Sequence, residues 1–222
     1  MPPPDPPDLD GGFFMAWANM CGRLRIDPFD LIRVSYSESG GVRPRAHNPN
    51  GNAVGLIQFM PDTLKGLGWT KGWEAFLQLS ATEQIPFVER YYRPYAANCT
   101  SDALCYVATF LPALLPAAAG ALEGARDFVL CGQRGPLAWA YAANKVFDRD
   151  GKGSITVGDL ADQLERACVG ARYGAIVQRL HLAMGNEPPP LPEPAPTQPA
   201  LPDEDPTVHP DVEFPERKYE DS

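Results

Sequence analysis

Proline is placed so unevenly in this chain that it decides which part can fold. Of twenty-five prolines in 222 residues, five lie in 1–12 and eleven in 186–222. Proline fixes its own backbone angle and lacks an N–H, so segments this rich in it build neither helix interiors nor sheet ladders. The acidic residues follow the same division. The formal net charge is −9, of which residues 1–12 carry −3 and residues 186–222 carry −8, leaving +2 for 13–185. The chain therefore reads as three parts. Residues 1–12 are a Pro-rich N-terminal arm, 13–185 one folded domain, and 186–222 a Pro-rich acidic extended tail. The tail has too few large apolar groups to offset its ordering entropy. It is either a disordered linker end or a docking arm, for which Phe214 and Tyr219, near Arg217 and Lys218, would be the anchor.

The central segment reads as mostly helical. Phe13, Phe14, Trp17, Met20, Cys21 and Leu24 recur at helical spacing. Asp27-Pro28 is an N-cap followed by proline at the first helical position, opening a helix that runs to Glu38. Residues 40–55 read as loop. Pro61 opens a short helix closed by Gly68. Ser80-Ala81-Thr82-Glu83 is a capping box for a helix through Tyr91 and Tyr92. Ser101 or Asp102 caps another, which ends before Pro112. Residues 117–130 are Ala-rich and read as helix, as do 136–143 and 158–184. A short extended piece is expected near Ile155 and Val157, and the fold class is all-α.

Five cysteines, odd in number and without a Cys-x-x-Cys, read as buried free thiols, with Cys99–Cys105 the only nearby pair. The start, Met-Pro-Pro-Pro-Asp-Pro-Pro, lacks the basic and apolar runs of a signal peptide. No stretch is long and apolar enough to span a bilayer, and no nucleic-acid partner is read.

The chemistry concentrates between Ser37 and Pro61. Glu38 ends a helix, where the negative end of the dipole favours the neutral form of an acid. A loop rich in Pro, Gly and Asn follows, then the turn Gly55-Leu56-Ile57-Gln58, then Met60-Pro61. One acid beside a polar loop and an amide side chain is suited to protonating a glycosidic oxygen.

In order, Glu38-Ser39, Ala46-His47-Asn48-Pro49, Gly55-Leu56-Ile57-Gln58 and Met60-Pro61 resemble the catalytic core of the lytic transglycosylase (goose-lysozyme-like) family. Within it they are most similar to the branch carried by tailed phages and tail-like particles. The resemblance covers about residues 13 to 185 and implies a lysozyme-like fold. It implies cleavage of peptidoglycan glycan strands by one glutamate, Glu38, acting as acid and then base to leave a 1,6-anhydro end. Asn48 would position the substrate N-acetyl group or the glutamate, and Gln58 would hydrogen-bond the substrate or the loop. The family also carries a tyrosine facing the glutamate. The matching stretch here is Thr109-Phe110-Leu111-Pro112-Ala113, so Leu111 holds its position and cannot donate a hydrogen bond. Tyr106, or Tyr141 in Ala140-Tyr141-Ala142-Ala143-Asn144, would have to substitute, which makes Tyr106, Tyr141 and Asn144 candidate substrate contacts. Trp69, Trp73 and Trp139 could stack on sugars, although single tryptophans are more often core residues.

Residues 148–159 resemble an EF-hand loop, with Asp148, Asp150 and Asp159 at ligand positions one, three and twelve. Lys152 holds the fifth ligand position. The loop would take Ca2+, or the lysine would serve as an internal counter-ion. No cofactor is needed for the cleavage itself. With no signal peptide, the phage-branch resemblance implies a protein made in the host cytoplasm and packaged in a virion. Its partners would be the glycan strand and other particle proteins docked through the Pro-rich ends. A structural tail-hub or neck component on the same fold is the alternative.

Overall fold

The computed structural model describes residues 6, 8–49, 51–121 and 125–187. The tail from 188 onward, with Phe214, Arg217, Lys218 and Tyr219, lies outside the described residues, as do residues 1–5 of the arm. What is described is mostly helical, with two short strand pairs.

Helix α1 (Phe13–Leu24) buries Phe13, Phe14, Trp17, Met20, Cys21 and Leu24, the six residues whose spacing marks one helical face. Trp17 is fully buried and its indole N–H donates to the Pro28 carbonyl at 3.2 Å. That bond ties α1 to the start of α2 (Pro28–Ser39). The Asp27 carboxylate caps α2 by accepting from the Phe29 N–H at 2.7 Å, with Pro28 in the first turn.

Two pairs of residues in the segment read as loop form a hairpin, β1 (His47–Asn48) with β2 (Ala53–Val54). Two-residue strands leave almost no alternation to read, which is why the sequence shows only turn chemistry there. Short helices α3 (Pro61–Gly66) and α4 (Trp73–Phe76) lead to α5 (Ala81–Tyr92). Both halves of its capping box are formed: Ser80 Oγ accepts from the Glu83 N–H, and the Glu83 carboxylate accepts from the Ser80 N–H at 2.7 Å.

The middle of the core is α6 (Asp102–Phe110), capped by Ser101 and buried at every position from Ala103 to Phe110. It packs against α2, and a helix buried all round needs apolar neighbours on all sides. After it come α7 (Leu115–Gly120), β3 (Val129–Gly132), α8 (Ala138–Ala143), β4 (Ser154–Thr156), α9 (Val157–Ala167) and α10 (Gly170–Ala183). The expectation of helix through 117–130 is corrected. The helix stops at Gly120 and residues 129–132 are a strand, pairing antiparallel with β4 through Cys131 and Ile155. Alanine's helix propensity governs only the first part; burial of Leu130 and Cys131 against β4 governs the second. α9 lies against α6 and α2, and α10 against α1.

All five cysteines are free thiols in buried positions, as read from the sequence. Burial pushes the Cys131 and Cys168 thiols up to about 11, so neither is a ready nucleophile. Among the described residues, no helix is long and apolar enough to cross a membrane.

Candidate active site

Glu38 sits in the last turn of α2 and is 8% exposed. Three successive residues with positive φ follow closely: Gly40 (62°), Gly41 (121°) and Val42 (58°). Glycine adopts this region readily, but a β-branched valine does so only under strain, typically about 1–3 kcal/mol. Four contacts hold the turn. The Gly41 N–H donates to the Tyr36 carbonyl at 2.8 Å, and Val42 is fully buried. Ser39 Oγ donates to the Ser35 carbonyl at 2.6 Å and accepts the Arg43 N–H at 2.9 Å. From α10, Arg172 Nε donates to the Gly41 carbonyl at 2.8 Å. A Cβ on Gly41 would stand 2.6 Å from that Nε, so the close approach needs glycine.

The facing wall is the β1–β2 hairpin and the turn after it. Gln84 of α5, fully buried, is its main support. Its Oε1 accepts from the Leu56 N–H at 3.0 Å and its Nε2 donates to the Pro44 carbonyl at 2.7 Å. Gly55, at φ 77°, passes so close that a Cβ there would lie 2.5 Å from Gln84 Oε1. Ser35 Oγ donates to the Leu56 carbonyl at 2.8 Å, joining this wall to α2 one turn before Glu38. Gln58 itself has φ 53°, and its Nε2 donates to the carbonyls of Gly55 (3.2 Å) and Ala46 (3.4 Å). The Gln58 amide therefore shapes the wall.

Between the walls is a cleft of about 520 Å3. Glu38 and Ser39 line it from α2, Asn48 and His47 from β1, and Gln58 from the turn. Arg43, Arg45 and Asp8 line it as well, Asp8 from the segment preceding α1. A volume of this size suits a saccharide unit or two. A small side hollow continues from Gln58 past Tyr91 and Thr109. Trp69 and Trp73 line a second hollow, of about 270 Å3, next to Lys65 and Asp62. The His47 ring stacks on Trp73 at 4.5 Å between centroids and 17° between planes, so the two spaces share a wall.

Of the residues singled out in the sequence, Glu38, Asn48 and Gln58 meet at this cleft. The others are not among its lining residues. Tyr106 is buried in α6 with its ring edge-on to Phe147 at 5.9 Å. The Tyr141 hydroxyl donates to Asp148 at 2.6 Å, and Asn144 Nδ2 donates to the Ala140 carbonyl at 2.9 Å. Neither Tyr106, Tyr141 nor Asn144 lines the cleft. Leu111 ends α6 and is buried. Trp139 is exposed, and Trp69 belongs to an aromatic cluster with Phe76 and Phe87.

Two further phenols bear on the site, and the sequence placed them only as helix residues. Tyr91 donates to the Ala108 carbonyl at 2.8 Å and borders the side hollow. Tyr92 is fully buried and donates to the Cys105 carbonyl at 3.1 Å. Burial raises the Tyr92 phenol well above its ordinary range, and the charge of Glu38 is among the neighbours that add to the rise. Nothing in their local pattern distinguishes these tyrosines from core aromatics.

The 148–159 loop closes around its own lysine. Lys152 Nζ donates to Asp159 Oδ1 at 2.8 Å, and the pair holds the ammonium above its usual range. Asp159 Oδ2 accepts from the Thr156 N–H and hydroxyl, as the acidic half of the α9 capping box. Asp148 accepts from Tyr141 and from the Lys152 and Gly153 N–H groups, which hold its carboxyl below the usual carboxylate range. With Asp148 and Asp159 so engaged, and with an ammonium where a ligand oxygen would stand, these residues do not fit a calcium ion. Among the described residues, no three His, Cys, Asp or Glu side chains are grouped to hold a metal.

Compared with known protein families, curated proteins and solved structures, the chain matches none.

Proposed function

We propose that this chain is a peptidoglycan lytic transglycosylase with a lysozyme-like fold, carried in a phage or phage-tail-like particle to open the wall locally. The observation that carries the reading is a buried glutamate, Glu38, on the wall of a saccharide-sized cleft that Asn48 and Gln58 also line. Ordinary glycosidases pair two carboxylates. The other carboxylate on this cleft, Asp8, is engaged by the Arg172 guanidinium at 2.9 and 3.2 Å. With Asp8 held in this way, a single acid acting on the sugar fits a reaction in which the sugar supplies its own nucleophile.

In that reaction Glu38 gives its proton to the glycosidic oxygen as the bond from the muramic anomeric carbon breaks. The muramic 6-hydroxyl then closes on that carbon, and its proton passes to the Glu38 carboxylate. The products are a new 4-hydroxyl end and a 1,6-anhydro end, with no water consumed and the glutamic acid restored. Asn48 positions the N-acetyl group or the glutamate itself, and Gln58 keeps the wall in shape.

Purified sacculi treated with the native chain should release muropeptides with 1,6-anhydro ends, identified by mass. Glu38→Gln should lower release by about 10²–10⁴-fold while leaving the helical circular-dichroism spectrum unchanged. Ordinary reducing ends would mean a hydrolase. Leu111, in place of a hydrogen-bonding tyrosine, favours a second reading: a particle component that keeps the fold for assembly. Absence of release by the native chain, with assembly failing when residues 186–222 are deleted, would select it.

A further inference from the structure

The cleft lining mixes neutral polar, acidic and basic side chains. Glu38, Asn48 and Gln58 form a neutral-to-acidic face for sugar hydroxyl and amide groups. Arg43 and Arg45, both exposed, line the same cleft. An uncharged sugar offers such a pair only neutral acceptors. A carboxylate offers a stronger, charge-assisted bond, and one is already there: Asp8 is gripped by both terminal nitrogens of Arg172 and lies 3.8 Å from Arg43. Arg43 thus shares a carboxylate whose main partner is another arginine, and Arg45 has no ion-pair partner among the described residues. The lining thus sets two guanidinium groups against two carboxylates, Asp8 and Glu38, with Asp8 already held by Arg172, in a concave site where the field is focused.

We propose that Arg43 and Arg45 are specificity-determining residues that select glycans carrying a carboxylate. Asp8 is an internal carboxylate that competes with the ligand's own. This rests on the reading of the cleft as a glycan site and adds the class of strand it prefers. The ligand carboxylate has two sources, the lactyl ether of muramic acid in a stripped strand and the stem peptide in a substituted one.

The test is binding by calorimetry to the full chain carrying Glu38→Gln, so that turnover does not intervene. Three soluble probes of equal sugar length are used: a neutral chito-oligosaccharide, a stripped muramyl glycan, and a peptide-bearing glycan. A carboxylate-bearing probe should bind at least about tenfold more tightly than the neutral one, with the advantage falling as salt rises. Preference for the stripped strand assigns the lactyl group; preference for the peptide-bearing strand alone assigns the stem. Adding Arg43→Ala and Arg45→Ala should collapse the ratio of affinities, the two lysine replacements should restore most of it, and Asp8→Asn should increase it. A ratio that the arginine pair leaves unmoved, in protein with native circular dichroism, overturns the inference even if sacculi are cleaved. A ratio that behaves as expected while sacculi stay intact upholds the carboxylate selection and rejects the proposed reaction instead.

Discussion

At the scale of single residues, the candidate site depends on side chains that never enter the cleft. Gln84 shows this best. Its amide is buried, bonds one N–H and one carbonyl of the facing wall, and fills the space that a side chain at Gly55 would need. Gln84→Ala leaves the Leu56 N–H and the Pro44 carbonyl buried without their partner, at about 1–3 kcal/mol for each unmet group. The expected result is a drop in urea midpoint of that order and a loss of sacculus cleavage, although Gln84 touches no substrate. Gln84→Glu, which keeps the acceptor but loses the donor, should fall between. Glu38, Gly55 and Gln58 were readable because they lie within twenty-one residues and bring their turn chemistry with them. Gln84 and Arg172 were not. Their partners lie twenty-eight and one hundred and thirty-one positions away, and a long-range hydrogen bond leaves no periodicity behind. The same holds for Tyr91, whose place beside the cleft depends on how α5 packs.

At the scale of elements, caps were the most legible feature and strand pairs the least. Asp27-Pro28 and Ser80-x-x-Glu83 start helices where their chemistry says, because the partner atoms lie within three residues. β3 was hidden in an Ala-rich run, and only its pairing with β4 reveals it. Together β3, β4 and the 148–159 loop make a small unit with a lysine at its centre. Lys152→Asp should replace the internal cation with a fifth-position oxygen. In chelator the variant should melt below the native chain, having lost the Lys152–Asp159 pair and gained a like charge. Millimolar calcium should then raise its melting temperature, because binding to the folded state alone adds stability. The native chain should show no such rise. A calcium response of equal size in both would mean that Lys152 does not exclude the ion.

At the scale of the whole molecule, helices distant in sequence are fastened at a few points. Glu89 on α5 accepts from Arg23 of α1 at 2.6 and 3.1 Å and from Arg93 at 2.8 Å. The Arg23 hydrogen bonds, first among these, hold the Glu89 carboxyl below the usual carboxylate range. A depressed folded-state pKa adds stability that is complete above the unfolded value, near pH 4.5. It is lost as the pH falls through the lower, folded one. Both arginines are largely exposed, so solvent screening limits the gain to about 1 kcal/mol. Glu89→Gln should cost that much at pH 7, and urea titrations should show the difference shrinking toward pH 3. A difference that stays constant with pH would mean packing, not charge, is what the glutamate supplies. The Arg172 fastening works over a longer span, joining Asp8, Gly41 and α10 across one hundred and sixty-four positions. A ribosome must therefore have released α10 before the bend beside Glu38 can be locked. Until then the growing polypeptide holds that bend by its short-range hydrogen bonds alone, and the tie to α10 comes only when synthesis of the domain is nearly finished.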